Sequence, residues 1–195
     1  MRSESVQKRL NYKRANYLQG SGNLQADLKA ALNKASTVGA RKEIVNAAEN
    51  TFLLLNSVRS RWTMLFGALL IYSRGRNHSL VTEDDAADEL KVEQMAPPPD
   101  RSGARRDFVE SLLFFGIKGN HVVVLQSAGL RARQFETHLN WLLQTKTSVL
   151  ADEDRIELAD HPTKAAIQQV LKSPVKKVSV GVPLQSRAPS PCGFR

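Results

Sequence analysis

One cysteine, Cys192, stands near the C-terminal end of a 195-residue chain, and with no second thiol an internal disulfide framework is excluded. This fits a reducing compartment, and we expect a soluble, cytoplasmic protein. Long apolar runs are also missing. The longest candidate, Trp62 to Tyr72, is bracketed by Arg59, Arg61, Arg74 and Arg76 and falls well short of the roughly 20 apolar residues that span a bilayer. It reads as a buried strand, and no membrane partner is expected. The first residues, Met1-Arg2-Ser3-Glu4-Ser5, are polar and lead into no apolar signal core.

Recognised chemistry is sparse. There is no Gly-x-x-x-x-Gly-Lys-Ser/Thr loop, and Gly20-Ser21-Gly22 before a helix reads as a turn. The four histidines, His78, His121, His138 and His161, form no His-x-x-x-His pair, so a Cys/His zinc site is not expected. Ser173-Pro174-Val175-Lys176 matches Ser-x-x-Lys only formally, because proline after the serine spoils the nucleophile's geometry. Glu83, Asp84, Asp85, Asp88 and Glu89 read first as a solvated surface. Alternatives are a Mg²⁺ or Ca²⁺ site without calcium-loop spacing, or an acidic lid over a basic surface. No cofactor is expected, and no catalytic residue is singled out.

Acid is absent from residues 161–195, which carry six basic residues, and scarce in residues 1–80, which hold thirteen Lys/Arg against four Asp/Glu. Residues 81–110 reverse the balance, with four against nine, and the whole chain is +9. Charge sorted in this way points to an anionic partner, an internal charge contact, or both.

Apolar periodicity outlines the fold. Residues 6–18 read as a basic strand at a sheet edge. Leu24, Leu28, Ala31, Leu32 and Ala35 recur at helical spacing behind a cap at Ser21 or Asn23, and Arg41 to Ala48 reads as a further helical turn or two. Thr51–Val58 and Trp62–Tyr72 form a hairpin joined by Arg59-Ser60-Arg61, with Gly67 marking a bulge or a close backbone approach. Residues 73–107 form a long loop in which Glu83–Met95 is a short acidic helix capped by Thr82. Phe108–Ile117 and His121–Ser127 make a second hairpin around Lys118-Gly119-Asn120, with Leu112–Phe115 and Val122–Leu125 read as buried runs. A helix starting near Ser127 or Gly129 stacks Phe135, Leu139 and Leu142. Asp160-His161-Pro162 opens a last helix, and residues 175–180 alternate as a strand.

The expected fold class is α+β: an antiparallel sheet built from two hairpins plus flanking strands, with helices packed mainly on one face. Residues 1–182 form one domain, and the Pro/Ser-rich residues 183–195 a disordered tail.

The basic positions are the remaining signal. Lys8, Arg9, Lys13 and Arg14 lie beside Tyr12 and Tyr17, Arg59 and Arg61 on the first hairpin, Arg74 and Arg76 just past it, and Lys176 and Lys177 on the last strand. Arginine and lysine neutralise phosphates and tyrosines stack on bases, so the leading expectation is a non-enzymatic protein that binds DNA or RNA. The alternative is a protein–protein interaction or homo-oligomeric assembly module using exposed strand edges. A metal-dependent nuclease, or a fragment of a larger enzyme, ranks third, with Asp152, Glu153, Asp154, Glu157, Asp160 and His161 as the carboxylate-rich candidates.

Overall fold

The computed structural model describes residues 9–82 and 91–160, together with Glu89, Gln168 and Lys172. The chain divides into two units, residues 1–161 and 162–195, and all assigned elements lie in the first. In chain order these are β1 (Leu10–Tyr17), α1 (Leu24–Lys34), a 3-10 turn (Gly39–Arg41), β2 (Lys42–Asn46), β3 (Thr51–Arg61), β4 (Met64–Ser73), β5 (His78–Thr82) and β6 (Lys91–Met95). They continue with β7 (Val109–Lys118), β8 (His121–Leu125), α2 (Ala132–Asn140) with a π-type extension (Trp141–Lys146), and β9 (Ile156–Asp160). Seven strands form one sheet in the order β2-β3-β4-β7-β8-β1-β9, and β5 and β6 pair separately. Every neighbouring pair is antiparallel. The class is α+β, as the alternation of hairpins and helices implies.

Both expected hairpins are present, but their surroundings differ from the sequence reading. The first strand is not an edge, because β1 lies between β8 and β9. Strand β9 had no counterpart in the reading, since five residues of alternating Ile156, Glu157 and Leu158 are a weak signal. Residues 42–46 form a strand rather than a helical turn, and β-branched Ile44 and Val45 suit that geometry. Residues 91–95 are likewise a strand rather than the end of an acidic helix, with Val92 paired to Val81. The first hairpin turns at Trp62-Thr63, so Arg59 and Arg61 belong to β3 and not to the connection. Helix α2 starts at Ala132, later than expected: the Ser127 hydroxyl accepts from Leu130 N at 3.2 Å and holds a turn there. The acidic residues 83–88, the expected helix from His161, the strand at 175–180 and the tail at 183–195 lie outside the described residues.

The core explains why these segments assemble. Leu24, Leu28 and Ala31 of α1 and Phe135, Leu139, Leu142 and Leu143 of α2 and its extension are buried in one apolar cluster. That cluster also holds Leu53 and Leu55, Leu113 and Phe115, Val122 and Val124, and Ile156 and Leu158, spaced two apart along their strands, and Leu65 and Leu69, four apart with Gly67 at the inward position between them. The start of α1 is capped twice: Asn23 Oδ1 accepts from Ala26 N at 3.1 Å, and Asn120 Oδ1, from the β7–β8 turn, accepts from Leu24 N at 2.7 Å. Gly67 is a site of close approach, since a Cβ there would lie 2.5 Å from the Phe115 ring. Among the described residues no helix is long and apolar enough to cross a membrane.

Candidate functional site

On the sheet face turned away from this core, an irregularity in β3 decides where Arg59 and Arg61 point. In β3, Asn56 pairs with Ala68 and Arg59 pairs with Phe66, so Ser57 and Val58 together oppose Gly67. Ser57 accommodates this bulge with a φ of 52°. An extra residue shifts side-chain parity by one. Before the bulge the odd positions Leu53 and Leu55 point into the core; after it Val58 packs there, and Arg59 and Arg61 turn to the opposite face. Without the bulge the two arginines would project into the apolar cluster.

The registers place two rows across that face. One runs Arg59, Phe66, Gly116, Val123, Tyr12. Beside it, Arg61 pairs with Met64 on one side of the sheet, and Lys118, His121, Arg14 and Ala159 line up on the other. These rows hold four cations and no carboxylate; the nearest acids on the strand register are Asp160, opposite Lys13 one position on, and Glu157, opposite Asn16 two positions back. Among the described residues, Arg14, Arg59, Arg61 and Lys118 take part in no ion pair.

Aromatic rings interleave with these charges. Trp62 at the hairpin tip is 81% exposed, and its ring meets Phe66 edge-on at 6.3 Å between centroids. Phe114, opposite Ala68, is 47% exposed. Tyr12 stacks on His121 at 5.9 Å and their side chains hydrogen-bond. A groove of about 520 Å³ lies along this surface, lined by Arg59, Arg61, Trp62, Phe66, Ala68 and Phe114 among others.

The basic positions singled out from sequence are therefore divided. Arg14, Arg59 and Arg61 come together on this face, and Arg9 is exposed just before β1. Lys13 points the other way and pairs with Asp160 at 2.7 Å. Arg74 and Arg76 lie at the opposite end of the β3–β4 hairpin, where Ser73 pairs with Thr51. There the Arg74 guanidinium sits over Phe52 at 5.2 Å, and Arg76 pairs with Glu110 at 3.0 Å. The Ser73 hydroxyl, and behind it Arg76, hold the Glu110 carboxyl below its ordinary value. Tyr17 is half-buried and its hydroxyl donates to Asp27, so its ring lies apart from Tyr12. Burial, reinforced by the Asp27 carboxylate, pushes the Tyr17 phenol well above its usual range. Lys8, Lys176 and Lys177 lie outside the described residues.

Trp62, Phe66, Phe114, Lys118 and His121 were not among the expected site residues. Trp62 and Phe66 belong to an apolar run that reads as buried, and Phe114 to another; only the pairing register reveals which members face out. Elsewhere, His138 is fully buried, stacks on Trp141 at 5.2 Å and bonds Glu43 through Nδ1 at 2.7 Å. Among the described residues no group of three or more His, Cys, Asp or Glu is placed to hold a metal ion. No family model matches the chain, and comparison with curated proteins and with solved structures gives no match.

Proposed function

We propose that the protein is a non-enzymatic, cytoplasmic nucleic-acid-binding protein that contacts phosphates through the face described above. The observation that carries this reading is the set of four cations, Arg14, Arg59, Arg61 and Lys118, held without ion pairs among the described residues and interleaved with exposed rings. Surface cations normally find acidic neighbours or scatter; four on adjoining rows without a carboxylate create a local positive potential suited to a polyanion. Lys8 and Arg9 adjoin this face in sequence, and Lys176 and Lys177 are further candidates. We read both helices as packed on the opposite face, leaving this one for the ligand.

The test is binding of fluorescently labelled DNA and RNA, each single- and double-stranded, across a salt series. Binding at low salt that falls linearly on a log–log plot is expected. Absence of binding to every polymer at low salt overturns the reading.

A second reading is an assembly module. The edge strand β2 favours it, because Ile44 is 64% exposed and Val45 is also exposed. Exposed apolar edges pair readily with other strands. Sedimentation at two protein concentrations decides: a monomer at both removes self-association through this edge.

A further inference from the structure

Resting on the nucleic-acid reading, we infer that the ligand is single-stranded and that its unpaired bases stack across the open sheet face on Trp62, Phe66 and Phe114. Phosphates are held by Arg59 and Arg61 on one side and by Arg14 and Lys118 on the other.

Three observations separate this from duplex binding. The first is the shape of the surface. The major groove admits a helix or a two-stranded ribbon. The β3–β4 tip is no free ribbon, because β4 is still paired to β7 at Leu65–Ile117 and the adjacent β7–β8 hairpin turns only two residues later, at Gly119-Asn120. The two tips end nearly flush, and the surface they share is a sheet too broad to enter a groove.

The second is the floor of that surface. Gly116 sits in the central row between Phe66 and Val123. A Cβ there would lie 3.0 Å from Val123 Cγ2 and 3.1 Å from Phe66 Cε1, so the Phe66 ring leans over bare backbone. From β3 to β1 the row crosses four strand spacings, about 19 Å. A short stretch of extended single strand fits that length, and rings lying on an open sheet offer faces only to bases that are not already paired.

The third is the turn. Trp62 and Thr63 both have positive φ, 47° and 62°. Two-residue hairpin turns of this kind favour Asn-Gly or Asp-Gly, and a bulky residue followed by a β-branched one is held there at a cost. Trp62 regains little of that cost through burial, being mostly exposed. The side chain is placed at the rim of the basic groove, where an indole face serves a stacking partner.

The experiment compares a single-stranded oligo(dT) and oligo(U) of about 12 nucleotides with a duplex of equal length, within the site sizes of single-strand binders. Anisotropy and tryptophan fluorescence are read at the same salt. Single strands are expected to bind more tightly than the duplex and to quench tryptophan emission. Trp62→Ala is expected to abolish the quenching and weaken single-strand binding about tenfold, with Phe114→Ala weakening it comparably. Both side chains are substantially exposed, and thermal unfolding of each variant verifies that the fold is retained. Equal affinity for the duplex, with Trp62→Ala leaving single-strand binding unchanged, overturns this inference while the nucleic-acid reading stands. No binding of either form overturns both.

Discussion

Asn140 sits where α2 meets β9, and its amide closes both backbone groups of one residue. Its Nδ2 donates to the Ile156 carbonyl at 2.8 Å, and its Oδ1 accepts from Ile156 N at 2.9 Å. The side chain is buried, so it substitutes for a missing strand neighbour at the start of β9. Asn140→Leu is expected to leave both groups unpaired and to cost about 1–3 kcal/mol, measured by urea unfolding. Tyr17 makes a different kind of tie, joining the end of β1 to α1 through Asp27. Its folded-state pKa is raised above the ordinary 10.0, first by burial and then by the Asp27 carboxylate. Below pH 10 both folded and unfolded phenols keep their proton, and the hydrogen bond contributes in full. Above it the unfolded phenol ionises first, so the contribution is lost as pH rises. The stability gap between the native protein and Tyr17→Phe should therefore be constant from neutral pH to about 9 and shrink beyond 10, as followed by denaturant unfolding at each pH.

The hairpins show how far element-level reasoning reaches. Their apolar runs located β3, β4, β7 and β8 from sequence, because runs of Leu, Val and Phe bounded by turn residues leave few other readings. Facing was not legible. Leu112-Leu113-Phe114-Phe115 is apolar at every position and reads as buried on both sides. Pairing with β4 instead sends Leu113 and Phe115 inward and leaves Leu112 and Phe114 exposed. The bulge at Ser57-Val58 was equally hidden, since nothing in Asn56-Ser57-Val58-Arg59 names an extra residue, yet it decides which way Arg59 and Arg61 point. The turn offers a test of the division between fold and function. Replacing Trp62→Asn together with Thr63→Gly supplies residues that accept positive φ, and should raise stability by about 1 kcal/mol in thermal or denaturant unfolding. The same double variant should bind single strands less well, so stability and affinity move in opposite directions. A loss of stability would show that the indole holds the hairpin rather than a ligand.

At the scale of the whole molecule, the net charge of +9 was legible but its geography was not. Arg59 and Arg61 are close in sequence to Arg74 and Arg76, which invites grouping them on one surface. The antiparallel hairpin instead carries the two pairs to opposite ends, about 30 Å apart over the length of β3. Arg14, far away in sequence, is brought toward Arg59 and Arg61 because β1 inserts between β8 and β9 rather than lying at an edge. Partners differ as well: Arg76 is matched by Glu110, and Arg74 rests on Phe52. This geography has a quantitative consequence for counterion release. Each phosphate neutralised on a single strand contributes about −0.7 to the slope of log affinity against log salt, so the four cations of the open face imply a slope of about −3. Charge reversal at Arg59 and Arg61 should remove two contacts and reduce that slope to about half. Reversal at Arg74 and Arg76 changes the net charge of the protein by the same amount but removes no phosphate contact on this face, and the slope should stay near its native value. The two double variants, titrated against one oligonucleotide over one salt range, thus separate local contact from overall charge. Equal flattening by both would place the phosphate path along the whole hairpin instead of across its tip.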